Sequence, residues 1–251
     1  HLTVKNSLSR FQRSITSPAY GFNGTQNGSF TEVTYASHGA ASEWIAGANI
    51  VTDEFKETQL TATPLRNYNQ ATVGAFVQNS WKVNDKFHLE TGLRGDGIKN
   101  YGFAILPRVS ALFKFSPKVS SRIGGALGYK TPTIFSEESE RVQYKKVLPV
   151  NSNINKLEKS YGVNADINYK TKFADVSFSI NHLFFYTRIN NPLLLQPDGS
   201  NYRFNTISGN IDSKGMETNI KIGYSDFKLF LGYTFVKAYL NEGNIKTENF
   251  L

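Results

Sequence analysis

Residues 74–96, GAFVQNSWKVNDKFHLETGLRGD, constrain the fold more than any other stretch, because two chemically different faces alternate along them. In the first arm Ala75, Val77 and Trp81 share one side, and Gly74, Phe76, Gln78 and Ser80 share the other. In the second arm Phe87, Leu89, Thr91 and Leu93 oppose His88, Glu90, Gly92, Arg94 and Asp96. A period of two is the period of a strand, and Val83-Asn84-Asp85-Lys86 supplies the polar chemistry of a tight turn between two antiparallel arms. The polar face carries ionisable groups where a solvent-facing sheet would ordinarily show Ser and Thr. One greasy face and one charged face, at spanning length, suit the wall of a membrane barrel with hydrocarbon outside and water or a plug inside.

The same alternation continues along the chain. Trp44, Ala46, Ala48 and Ile50 share a face, as do Val109, Ala111, Phe113 and Phe115. Tyr161, Val163, Ala165, Ile167 and Tyr169 oppose Asn164, Asp166, Asn168 and Lys170, and Met216, Ile220 and Ile222 oppose Glu217, Asn219 and Lys221. Leu229, Leu231, Tyr233 and Phe235 form a last apolar row, whereas His182 interrupts the row of Val176, Phe178, Ile180, Phe184 and Tyr186. Read this way, the connections alternate between short (38–42, 83–86, 116–118, 171–174, 225–226) and long (16–28, 54–68, 97–104, 130–157, 190–210). Outer-membrane barrels pair short periplasmic turns with long outer loops. The expected fold is therefore all-β, an antiparallel up-and-down transmembrane β-barrel, with about eleven strands in this chain. Residues 240–251 read as polar loop without a closing strand, Phe250 being the aromatic nearest the end.

Composition narrows the alternatives. Aromatics make up 14 % of the 251 residues and hydrophobics only 39 %, with 19 Phe, 13 Tyr and 20 Gly, which favours many short strands over a helical bundle. No apolar run approaches the roughly 18 residues of a membrane helix, whereas barrel strands hide their hydrophobicity in alternation. The absence of Cys excludes disulfides, thiolate metal sites and cysteine nucleophiles. The net charge of +8 comes from Lys and Arg scattered among Glu and Asp without a helix-turn-helix, zinc-finger or RRM signature, so nucleic acid is not an expected partner. His1, His38, His88 and His182 show no metal-ligand spacing, and no G-x-S-x-G, P-loop or G-x-G-x-x-G occurs. Neither a resident cofactor nor an enzyme is expected. The first residues, HLTVKNSLSRF, lack a signal peptide's basic start and apolar core, so the chain is expected to begin inside structure.

Six segments, in order, resemble the barrel of TonB-dependent outer-membrane receptors. They are F-V-Q-x-x-W with E-T-G-L-R-x-D over Phe76–Asp96, PRVSALFKFSP at 107–117, SRIGGALGYKTPT at 121–133, LEKSYGVN at 157–164, FFYTRINN at 184–191 and KGME at 214–217. The resemblance implies that residues 1–251 are part of a larger receptor barrel domain, which in this family closes with about twenty-two strands, without the plug domain and the segment that contacts TonB. It further implies a bacterial outer-membrane location, outer-membrane lipid around the wall, and import of a small-molecule or metal-chelate cargo such as a siderophore, haem, cobalamin or a glycan. Gln78, Glu90, Arg94, Asp96, Arg108, Arg122, Glu158, Asp166 and Glu217 are then expected on the lumen wall, as plug contacts or as mutually paired, hydrated wall residues. Tyr129, Lys130, Phe135, Tyr144, Lys145, Tyr202 and Arg203 combine aromatic and basic chemistry on the long loops and are the expected cargo contacts. A passive porin-like barrel and a soluble β-rich binding protein are the alternatives.

Overall fold

Strand pairing follows chain order almost throughout, and this turns the alternating pattern into one curved wall. The computed structural model describes residues 1–18, 20–58, 64–243 and 245–248. The strands are β1 (Leu2–Ser17), β2 (Tyr20–His38), β3 (Ser42–Glu57), β4 (Tyr68–Lys82), β5 (Phe87–Ile98), β6 (Gly102–Lys114), β7 (Val119–Lys130), β8 (Glu158–Phe173) and β9 (Val176–Asn190). They continue with β10 (Leu193–Asp198), β11 (Asn201–Thr206), β12 (Gly209–Tyr224), β13 (Phe227–Glu242) and β14 (Ile245–Glu248), and one short helix, α1 (Glu137–Arg141), lies between β7 and β8. A 12-stranded antiparallel sheet runs from β1 to β9 and on through β12, β13 and β14, while β10 and β11 form a separate hairpin. The sheet is open, with β1 and β14 at its edges.

Directly paired residues share a face, so the register assigns each side chain to one side of the wall. Thr91 pairs with Val109, and Ile220 pairs with both Ile180 and Leu231, so these side chains lie on one surface. Arg122 pairs with Asp166, and Glu217 pairs with Leu183 across β9, on the opposite surface. The outer set is exposed, with Leu93, Val109, Ile123, Ile167 and Leu231 each about half accessible, as a lipid-facing wall requires. His182 stays in this outer row, where Nδ1 lies 2.7 Å from Thr218 Oγ1 and the ring meets Phe184 edge-on at 4.5 Å.

The differences from the sequence-based expectation lie at the outer ends of the strands. Residues 20–28, read as part of a loop from their Gly and Asn content, form the first half of β2 and pair in step with β1 from Ser17↔Tyr20 to Ser9↔Gly28. Their glycines serve close packing: a Cβ on Gly28 would sit 2.7 Å from Ser9 Oγ, and one on Gly24 would sit 3.0 Å from the Lys56 carbonyl oxygen. The connection at 97–104 shrinks to the tight turn 99–101, with Asn100 and Gly102 at positive φ and Tyr101 N donating to Ile98 O at 3.0 Å. Residues 190–210 contain the β10–β11 hairpin, and residues 245–248 form β14 against β13. The segment between β3 and β4 is partly outside the described residues, as is Phe250. These gains raise the strand count above eleven without altering the architecture. Strands as long as the 19 residues of β2 exceed the roughly 9–11 that cross a bilayer, so the excess projects beyond it on the long-loop side.

Candidate ligand mouth at the outer end of the wall

The buried core is an aromatic cluster at the outer end, where a loop crosses the concave face. Residues 131–157 leave β7, pass through α1 and return to β8, yet they pack on β3 and β2, four and five strands from β7 and roughly 19–24 Å away along the sheet. Ser136 caps α1 by accepting from Ser139 N at 3.3 Å. Gln143, Tyr144 and Lys146 then adopt positive φ, which coils the chain after the helix and drives the Tyr144 ring inward. That ring stacks on Phe22 at 4.6 Å, Phe135 meets Phe55 edge-on at 5.0 Å, and both Phe22 and Phe55 are fully buried.

Arg66 locks this roof to the wall. Its side chain has no solvent exposure and pairs with the equally buried Glu57, while the guanidinium stands over the Phe22 ring at 5.0 Å. Glu57 Oε2 accepts from both the backbone N and the Nε of Arg66, each at 2.9 Å, and Nη1 donates to the carbonyl oxygens of Tyr144 and Val147. The β10–β11 hairpin is fastened to the same loop. Leu148 N and Tyr202 N each make a 2.8 Å backbone bond across the join, and buried Asn155 donates to Phe204 O at 2.6 Å. From the edge of the sheet, Arg13 reaches Glu140 and the Tyr144 hydroxyl, both at 2.9 Å.

This last contact has a pH signature. The Arg13 hydrogen bond, aided by the Tyr144 hydroxyl, holds the exposed Glu140 carboxyl below its ordinary 4.5, whereas burial raises neighbouring Glu138 above it. A depressed carboxylate contributes stability that is intact above the unfolded pKa and is lost as pH falls through the folded one. Glu138 therefore takes up its proton first, and the Arg13–Glu140 tie fails only below about pH 4.5. After correction for the intrinsic rate, hydrogen exchange of residues 137–146 is expected not to accelerate from pH 7 to about 4.5, a range in which proton uptake by Glu138 favours the folded loop, and to accelerate below that. The Arg13→Gln variant removes that step; an unchanged step in the variant would rule the tie out as its source.

On the wall below the roof, the inner-face residues expected from the sequence form short chains of contacts. Gln78 donates to Glu90 at 2.9 Å, and Arg108 lies 3.5 Å from the same carboxylate. Arg94 bridges Asp96 and Asn49 at 3.0 Å each, and Tyr129 donates to Asp96 at 2.9 Å. The Arg122 backbone N donates to Asp166 at 3.1 Å, Glu158 accepts from Leu193 N at 2.9 Å, and Glu217 accepts from Asn219 at 2.5 Å.

The expected loop contacts separate into two groups. Lys130, Lys145 and Arg203 are exposed; Lys130 lies 3.8 Å from Glu158, and Arg203 is held by Asp198 at 2.7 Å. Tyr144 is wholly enclosed, burial pushing its hydroxyl pKa up to about 12, and Phe135, Tyr202 and Tyr129 are partly buried against the same loop core or its neighbour. Between roof and wall lies a cavity of about 310 Å³ lined by Asn67, Tyr68, Asn69, Gln70, Lys99 and Tyr101, together with Pro132 and Ile134 of the loop. None of these polar residues stands out in the sequence, since all lie in or beside connections without period.

An open, outward-greasy wall whose polar face is roofed at one end defines a segment of a membrane barrel. The chain belongs to the TonB-dependent receptors: the family model described as TonB dependent receptor-like, beta-barrel matches residues 3–251. The fold is similar to that of the FrpB iron transporter from Neisseria meningitidis (F3-3 variant), with a TM-score of 0.74 and 14 % identity over 95 % of this chain and 41 % of that one. It also resembles the siderophore receptor PirA from Pseudomonas aeruginosa (TM-score 0.66, 12 % identity, 98 % of this chain and 55 % of that one). A third is the ferric yersiniabactin uptake receptor FyuA from Yersinia pestis (TM-score 0.67, 15 % identity, 97 % and 42 %). The chain thus spans roughly half or less of the length of these proteins. A comparison with curated protein sequences finds no match.

Proposed function

We propose that this chain forms part of the wall and outer mouth of a receptor in the bacterial outer membrane. The receptor captures a scarce nutrient, a metal chelate such as a siderophore complex before haem, cobalamin or a glycan, and imports it with energy delivered through TonB. The observation that carries the reading is the loop 131–157 locked across the polar face by Arg66, which leaves the cavity beside Lys99 and Tyr101 as the approach from outside. Lys99, Lys130 and Lys145 supply cations, and Tyr68 and Tyr101 supply aromatic faces, a mixture suited to anionic chelates. The cargoes named for the structural neighbours, iron, siderophores and ferric yersiniabactin, belong to those proteins and favour metal chelates among the candidates. No covalent step is involved.

The test is uptake of radiolabelled ferric siderophores by cells whose only receptor is the natural full-length protein, with and without TonB. Uptake of at least one chelate that disappears without TonB is expected. Uptake that persists without TonB would instead identify a passive barrel, and saturable uptake of glycans alone would move the cargo class.

A further inference from the structure

The cations on the inner face of the wall fall into two populations. On β1–β5 the inward Lys and Arg stand beside carboxylates: Lys5 lies 3.6 Å from Glu32, Arg13 2.9 Å from Glu140, Lys82 2.7 Å from Asp85 and Arg94 2.8 Å from Asp96. From β6 to β13 this pairing lapses. Among the described residues Arg122, Lys170, Lys172, Lys221 and Lys228 have no carboxylate within 4.0 Å, and all five are exposed. The acids nearby are otherwise engaged, Asp166 with the Arg122 backbone N at 3.1 Å and Glu217 with Asn219 at 2.5 Å. Arg108 lies 3.5 Å from Glu90, yet its side chain keeps 58 % of its exposure.

Arg108 and Arg122 bound a recess of about 450 Å³ on the inner face of β6–β9, floored by Gly124, Ala126 and Gly162. Arg108 shares a row with Ala126 and Gly162, and Arg122 lies four residues nearer the short turns, roughly 14 Å along β7. The wall's own packing does not demand all of this bareness. A Cβ on Gly124 would press to 3.2 Å from the Val109 carbonyl oxygen, whereas one on Gly162 would meet Thr187 Oγ1 at an ordinary 3.4 Å. The wall has room for a side chain at 162 and leaves the floor open, as a site of close approach requires. Toward the short turns, cations alternate with small residues: Lys170–Ser179–Lys221 in one row and Lys172–Ser177–Gly223–Lys228 in the next. Lys130 stands at the other end of β7, beside the mouth. One sign of charge thus runs the height of this sector.

Like charges that face a common space repel one another, and an anion in that space relieves the repulsion. A plug filling the lumen gives no reason for cations to be paired on one half of the wall and bare on the other. An anion that moves along one sector needs the same sign at every level. We propose that the recess is an interior anion site, separate from the mouth, where the carboxylate or phenolate groups of a metal chelate rest between capture and release over the lysine–serine rows. The site rests on the chelate import proposed above and adds to it a selection for negative charge inside the barrel.

The first test is independent of the cargo. These 251 residues contain no Cys, so Ala126→Cys puts one thiol of this chain in the recess of the natural full-length protein, any Cys elsewhere being replaced by Ser. Its reaction rates with an anionic and a cationic methanethiosulfonate are each divided by the rate of that reagent with a free small thiol. A preference for the anionic reagent of at least about tenfold is expected, which Arg108→Gln/Arg122→Gln removes and Arg108→Lys/Arg122→Lys retains. Ala36→Cys, inward on β2 opposite Ile45 and so on the paired half, should show no such preference. Equal rates at position 126, the same preference at position 36, or a thiol at 126 that reacts with neither reagent because a plug segment fills the recess would each overturn the site. The second test is uptake of ferric citrate, an anionic chelate, beside a neutral ferric trihydroxamate, by cells carrying only this receptor. Arg108→Gln/Arg122→Gln should slow ferric citrate uptake severalfold with surface binding unchanged and leave the neutral chelate unaffected; equal slowing of both would overturn charge selection. Should the wild type import neither chelate, the cargo reading fails, while the thiol rates still decide the anion site.

Discussion

Replacing Glu57 by Gln is expected to detach the roof from the wall while leaving the strands paired. The substitution preserves shape but leaves the Arg66 guanidinium enclosed and without its counter-charge, and breaking a buried pair from one side costs about 3–5 kcal/mol. That cost falls on the residues whose placement Arg66 secures: the Tyr144 and Val147 carbonyls, and through them the Phe22–Tyr144–Phe135 stack. Hydrogen exchange over residues 131–157 should accelerate at least a hundredfold, with the central amides of β4, β5 and β6 unchanged. The double variant Glu57→Leu/Arg66→Met removes both charges and should recover most of the protection, though less than all, because the two carbonyls lose their donor. Equal protection in Glu57→Gln and wild type would mean that the aromatic stack alone holds the loop. Chelate affinity in the full-length protein should fall with loop protection, since Tyr68 packs on Phe55 and Phe135 of the same cluster and also lines the cavity.

The parts of this molecule that were legible in the sequence are those where neighbouring residues meet different solvents. Leu89 and Glu90, or Ile220 and Lys221, are adjacent in the chain and point to opposite sides of one wall, so their chemistry records the fold locally. Inner-wall residues such as Arg94, Arg122 and Glu217 follow from the same parity. Contacts made across the sheet leave no such record. Glu57 and Arg66 look like any polar residues flanking a loop, and their burial is created by Tyr144, which arrives from a segment 78 residues later. Tyr144 itself looks like an exposed loop aromatic until the left-handed turn at 143–146 carries it inward. Glycine is ambiguous for a related reason. At Gly24 and Gly28 it answers a crowded wall, whereas at Gly102 it answers a turn with open space around it, and both needs produce the same Asn-Gly-rich text.

The outer face makes the second large prediction, and it tests the assignment of solvent to each side directly. Ile220 lies outward in the middle of the apolar band, between Ile180 and Leu231, while Asn219 next to it points to the interior between Asn181 and Gly232. Arginine at position 220 must place its charge in hydrocarbon or bend its long stem toward a headgroup, which costs about 2–4 kcal/mol near the midplane. Arginine at position 219 enters a water-filled or plug-lined space beside Glu217 and should change stability by no more than about 0.5 kcal/mol. Equilibrium unfolding of the full-length protein in lipid vesicles should therefore separate Ile220→Arg from Asn219→Arg by at least about 1.5 kcal/mol, the same substitution being damaging at one residue and tolerated at its neighbour. The contrast should shrink toward the long-loop end, where Lys214 and Lys237 already show that a cation on the outer face is tolerated. Equal penalties at 219 and 220 would mean that both faces are dry, as in a wall packed against another protein layer. A larger penalty at 219 would turn the wall inside out and remove the basis for a lumen on the arginine-bearing side.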